Sequence, residues 1–121
     1  MEQFRVIIAG SRDFSDYNLL VEKCDKILQN KLSTHEVVMV SGGARGADRL
    51  GESYATSLGL KLNRFLPDWD RYGPSAGYRR NAIMADNADA LIAFWDGKSK
   101  GTGHMIDLAK QKGLAVRIIN Y

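Results

Sequence analysis

The stretch Ser41-Gly42-Gly43-Ala44-Arg45-Gly46-Ala47-Asp48 concentrates glycine, a cation and an acid immediately before an amphipathic run. Glycine lets a backbone approach a phosphate, and a helix start adds unpaired amides and the positive end of a dipole, so this composition points to an anion cradle. Two other stretches share the character. Gly10-Ser11-Arg12 follows the first apolar run, and Trp95 to His104 contains Asp96, Gly97, Gly101, Thr102 and Gly103. Arg79 and Arg80, followed by Asn81, fall at the beginning of an expected helix, where the dipole disfavours cations. A ligand phosphate or carboxylate on one of them offsets that penalty. Trp69, Tyr72 and Tyr78 flank a loop and either stack on a base or pack against the domain. Asp48 either caps its helix or holds a sugar hydroxyl, and the sequence leaves both open.

Spacing excludes several familiar sites. A Walker A loop built on Gly97-Lys98-Ser99 needs glycine where Ile92 stands. The dinucleotide fingerprint GxGxxG is absent, because Gly42-Gly43 is wrongly spaced from Gly46 and Gly101-x-Gly103 is followed by Ile106. Cys24 and His35 offer no metal-ligand spacing, so no metal is expected. His104, read as a first-turn residue, is expected to be kept neutral by the helix dipole, fit for proton transfer or merely for capping.

The elements that position these residues alternate in period. Phe4–Ala9 reads as a buried strand, followed by a helix starting near Ser15 or Asp16 with Leu20, Cys24, Ile27 and Leu28 on one face. Val37–Val40 is a second strand, and Ala47, Leu50, Gly51, Tyr54, Ala55 and Leu58 mark a helix stopped by Gly59. Leu60–Leu66 reads as a third strand and Pro67–Pro74 as a long loop. A helix over Ala76–Asn87 with Tyr78, Ala82 and Ala85 on one side, a strand over Ala88–Trp95, a helix over Gly101–Lys112 with Met105, Ile106 and Ala109 inward, and a strand over Leu114–Ile119 complete a βαβαβαβαβ order. That alternation predicts one α/β domain over residues 1–121, a parallel sheet covered on both faces, with ligands at the carboxyl ends of the strands.

Composition agrees with a single packed domain. The 121 residues are 45% apolar and 26% charged, which excludes intrinsic disorder, and the net charge of +3 hints at anionic ligands without indicating a basic tail. Cys24, the one cysteine, cannot form an internal disulfide. No apolar run approaches the roughly 20 residues of a membrane span, and Met1-Glu2-Gln3 opens no secretory leader, so a cytoplasmic location is expected.

The glycine stretch from Ser41 to Asp48 resembles the loop of the SLOG superfamily, which joins the DNA-processing protein DprA and the LOG-type cytokinin-activating phosphoribohydrolases. Tyr78-Arg79-Arg80-Asn81-Ala82-Ile83-Met84 with Ala88–Ala93 is similar to the same family's arginine helix and fourth strand, and Gly101-Thr102 to its second phosphate loop. With Gly10-Ser11-Arg12 the likeness spans almost the whole chain and is nearest to the small, stand-alone YspA-like branch. It implies a Rossmann-like sheet of order 3-2-1-4-5 and a nucleotide site on Gly10, Ser11, Arg12, Gly42, Gly43, Gly46, Asp48, Arg79, Asp96, Gly101 and Thr102. Ser41, Ala44, Trp69, Arg80 and Asn81 complete the candidate set.

The LOG-type loop PGGxGTxxE ends in a catalytic glutamate, and Met105 stands there in this chain. Asp48 and Asp96 are the candidate catalytic carboxylates in its place, with Asp107 a further carboxylate that could substitute. Binding of a small nucleotide, with no cofactor identified beyond that ligand, is the leading expectation. Cleavage of base from ribose phosphate and binding of single-stranded DNA through Arg12, Arg45, Arg49, Arg79 and Arg80 are the alternatives. Leu19, Tyr54 and Tyr78 are candidates for pairing in a homo-oligomer.

Overall fold

A computed structural model describes residues 1–121. β1 (Gln3–Gly10), β2 (Glu36–Ser41), β3 (Lys61–Arg64), β4 (Ala90–Trp95) and β5 (Ala115–Asn120) form one parallel sheet in the order β3-β2-β1-β4-β5. The chain moves outward from β1 to β3, then returns to place β4 beside β1. The strand order therefore reverses between β1 and β4, the position at which open α/β sheets leave a crevice.

Period-two alternation in β1 decides which helices cover which face. Val6 and Ile8 join a core with Leu20, Cys24 and Leu28 of α1 (Tyr17–Thr34) and Tyr54 and Ala55 of α2 (Ala47–Ser57). Ile7 and Ala9 point the other way, against Met84 and Ala85 of α4 (Ala76–Asp86) and Met105, Ile106 and Ala109 of α5 (Lys100–Gln111). Because both faces are covered, the central strands are apolar throughout. Asp16 caps α1 by accepting from the Leu19 amide at 3.0 Å. Burial pushes the Cys24 thiol up to about 12, consistent with a small core residue. No helix is long and apolar enough to cross a membrane.

Four sequence expectations change. β3 is shorter at both ends: it starts at Lys61, because Leu60 donates its amide to the Ala55 carbonyl at the end of α2, and it ends at Arg64, with Leu66 exposed beyond the strand. The stretch expected to be a loop contains α3 (Trp69–Tyr72), capped by Asp68 on the Arg71 amide at 3.1 Å, and a 3-10 turn over Gly73–Ser75. In α4 the buried residues are Ala76, Asn81, Met84 and Ala85, while Tyr78 is exposed and leans edge-on against His104 at 4.5 Å. Tyr54 is not available for pairing between copies: its ring is in the core, and its hydroxyl donates to Asp25 at 2.7 Å.

Candidate functional site

The ends of β1 and β4 and the start of α2 approach closely enough to demand glycine. A Cβ at Gly10 would lie 2.7 Å from the Ala47 Cβ and against the Phe94 carbonyl. Gly46 has φ +79°, and a Cβ there would run into the Ser11 and Arg12 carbonyls. The Ser11 amide donates to the Phe94 carbonyl at 3.1 Å, while its own carbonyl accepts from Phe14 at 3.2 Å. The buried Ser11 hydroxyl accepts from the Asp96 amide at 3.4 Å, tying the β1 loop to the end of β4.

The Ser41–Asp48 loop is satisfied largely from within. Ser41 Oγ donates to Glu52 at 2.6 Å and accepts from the Gly43 amide at 3.1 Å. Asp48 accepts from the Ala44 amide at 3.2 Å. The expected phosphate cradle thus has its Gly43 and Ala44 amides engaged by the protein's own side chains. Glu52 is in turn paired with Arg64 at 3.1 Å, which fixes the loop from behind. Asp48 is 5% exposed, and burial pushes its carboxyl up to about 6 against the opposing pull of the Ala44 amide and the Arg80 guanidinium.

Adjacent arginines on α4 take different directions. Arg79 lays its guanidinium 4.4 Å from the Tyr72 ring centre and donates to Ser75 Oγ at 3.1 Å, outside the crevice lining. Arg80 enters the crevice. It donates through Nη1 to the carbonyls of Gly42 and Phe65 and through Nε to Asn81 Oδ1 at 3.1 Å. It forms no ion pair, and its burial lowers its pKa from the usual arginine value. The cation is therefore partly desolvated and oriented by neutral acceptors, with the Asp48 carboxylate acting on it through space but in no ion-pair contact.

Asn81, 6% exposed, extends the arrangement: its Nδ2 donates to the Gly101 carbonyl at 3.3 Å and to His104 Nδ1 at 3.2 Å. His104 lies in the second turn of α5, and burial, opposed by Asp107, lowers its pKa. The neutral state expected from the dipole is thus favoured by desolvation.

At the start of α5, Asp96 accepts from the Lys98 and Ser99 amides, each at 2.8 Å, and these bonds hold its carboxyl below the usual carboxylate range. Trp95 Nε1 fixes the Ser99 carbonyl at 3.0 Å. Ser99 occupies the N-cap position but makes no side-chain cap bond, its hydroxyl meeting Thr102 Oγ1 at 3.3 Å. The first-turn amides of α5 accordingly lack a side-chain cap where Gly101 and Thr102 line the crevice.

Together these groups enclose about 610 Å³ at the sheet's reversal point, a volume suited to a nucleotide-sized ligand. Of the sequence-derived candidates, Gly10, Ser11, Arg12, Ala44, Asp48, Trp69, Arg80, Asn81, Asp96, Gly101 and Thr102 line it. Ser41, Gly42, Gly43 and Gly46 shape the loop behind that lining, and Arg79 stands apart. Asp13, Ser99, Pro74 and Gly77 also line the space and were not singled out in the sequence. Ser99 was legible as an N-cap preceding the last helix, whereas nothing local marked the other three.

The family model for the YspA, cpYpsA-related SLOG family matches residues 4–72. A curated relative, the Gene 61 protein of Mycobacterium phage D29, is 34% identical over 118 residues, covering 93% of each chain. The chain belongs to this SLOG family. Among solved structures, the SLOG chain is similar to DNA processing protein A (DprA) from Streptococcus pneumoniae, with a TM-score of 0.74 and 23% identity. That likeness covers 99% of this chain and 51% of the DprA chain, so the SLOG chain spans about half of its length. The structure of TM1055 is similar at a TM-score of 0.66 and 22% identity, over 96% of this chain and 72% of that one. Both likenesses support the Rossmann-like sheet and its order.

Proposed function

We propose that this SLOG-family chain binds a nucleotide or nucleotide-derived anion in the crevice at the carboxyl ends of β1, β2 and β4. The observation that carries the reading is Arg80: a desolvated guanidinium held by Gly42, Phe65 and Asn81, with no carboxylate in ion-pair contact. An anionic group between Arg80 and the uncapped start of α5 would gain a charge-assisted hydrogen bond and the favourable end of the helix dipole. Trp69, about half exposed in the crevice lining and close to Gly77 of α4, supplies a flat apolar surface for a base. Asp96 presents a carboxylate suited to accepting from sugar hydroxyls.

This arrangement favours binding over glycosidic hydrolysis. Met105 offers neither a proton nor a nucleophile, and an Asp96 oxygen is engaged by the turn that starts α5. Thermal melts against nucleoside mono-, di- and triphosphates, NAD, ADP-ribose and short single-stranded DNA test the proposal. A midpoint rise selective for a small nucleotide, lost in Arg80→Ala, is expected. A rise only with DNA that falls steeply with salt would replace this reading by a nucleic-acid one. Release of free base on incubation with the stabilising nucleotide would establish hydrolysis.

A further inference from the structure

The loop between β1 and α1 carries Arg12 and Asp13 into the crevice with little backbone support of its own. Its backbone ties are the Ser11 amide on Phe94, the Phe14 and Ala47 amides on the Ser11 carbonyl and the Tyr17 amide on Ser15, while Arg12 and Asp13 donate their amides to no group of the chain. Side chains therefore have to hold the loop. Phe14 is 3% exposed and stacks on Phe94 with ring centres 4.9 Å apart. Tyr121, just beyond β5, covers this pair from outside: its ring lies 4.8 Å from Phe14 at 59°, and its hydroxyl donates to Asp13 Oδ1 at 3.1 Å. The Tyr121 side chain thus spans two adjacent anchor points of the loop, one apolar and one charged.

We infer that Tyr121 is a positioning residue for the crevice, clasping the Arg12–Asp13 segment through Asp13 and Phe14. The inference rests on the proposed nucleotide-binding reading for its functional consequence, but the clasp has a readout that needs no ligand. Tyr121 does not line the space the ligand would fill, so its effect passes through the loop residues that do, Ser11, Arg12 and Asp13. The hydroxyl and the ring do separable work: the first orients the Asp13 carboxylate, and the second limits movement of Phe14 away from β4.

Amide hydrogen exchange at Ser11 and Phe14, both of which donate to backbone carbonyls, measures loop opening directly. Tyr121→Ala is expected to accelerate both severalfold while α4 amides keep their wild-type rates. Tyr121→Phe, which retains the ring, is expected to fall between the two. Titration with adenosine monophosphate then connects the loop to the site: Tyr121→Ala should weaken binding severalfold in the wild-type background and by a smaller factor in an Arg12→Ala background. Wild-type exchange rates in both variants would overturn the clasp, and faster exchange with unchanged affinity would overturn its role in the site. If the wild-type protein binds none of the nucleotide panel, the functional reading fails, while the exchange rates still decide whether Tyr121 holds the loop. A Tyr121→Ala protein that does not fold leaves Tyr121→Phe to decide, with unchanged exchange in that variant counting against the hydroxyl bond to Asp13.

Discussion

Arg80 donates through Nη1 to the carbonyl of Gly42, so the cation of α4 is fastened to the glycine loop by a neutral acceptor. Its neighbour Arg79 is spent on Tyr72 and Ser75. Arg80→Ala is expected to weaken nucleotide binding by about 1.5–3 kcal/mol, the range for a hydrogen bond to a charged group. Arg79→Ala should stay within about 0.5 kcal/mol, as for an exposed surface substitution. Calorimetric titration of both variants checks the contrast, and an equal loss in each would contradict the assignment.

The loop glycines are expected to differ sharply in cost. Gly46→Ala combines φ +79° with a Cβ against two carbonyls, whereas Gly59 has φ +67° and nothing within 4 Å. Gly59→Ala should cost about 1–2 kcal/mol from the backbone conformation alone. Gly46→Ala should cost more because the β1 loop must also move. Urea denaturation of the two variants measures the difference.

Asp48 makes stability depend on pH in a definite direction. Its folded value of about 6 lies above the ordinary 3.8, so the native state binds the extra proton between those limits. The contribution is relatively favourable at low pH and is lost as pH rises through about 6. Asp48→Asn removes the titration and can keep an acceptor for the Ala44 amide. The stability of this variant relative to wild type should therefore increase between pH 4 and pH 7, by roughly 2–3 kcal/mol for a shift of this size. Denaturant midpoints across that range provide the measurement, and a difference that falls with pH would contradict the burial argument.

Trp69 should matter for a base and little for an anion alone. Removing a base-stacking aromatic typically costs about 1–3 kcal/mol. Trp69→Ala is expected to lose affinity for adenosine monophosphate in that range while binding inorganic phosphate as before. Parallel losses for the two ligands would count against stacking.

The architecture was legible because β1, β2 and β4 are apolar on both faces and the intervening helices repeat at 3.6 residues. α3 was not, since four residues show no helical period and only Asp68 marks the start. The crevice lies at the strand ends that the glycine stretches mark, but the atoms that line it were not legible. Adjacent arginines differ by one step around a helix, and which faces inward is set by Asn81 and Gly42. Engagement of the Gly43 and Ala44 amides depends on how Ser41 and Asp48 orient their side chains, which glycine spacing does not encode.

Amide and arginine side-chain NMR during titration with adenosine monophosphate and the other small nucleotides of the panel tests the central claim most directly. Saturable shifts at Gly101, Thr102 and Arg80 Nε, with Arg79 unmoved, are the expected result. No saturable shift with any nucleotide, or shifts confined to residues away from the crevice, would contradict a nucleotide site between Arg80 and the start of α5.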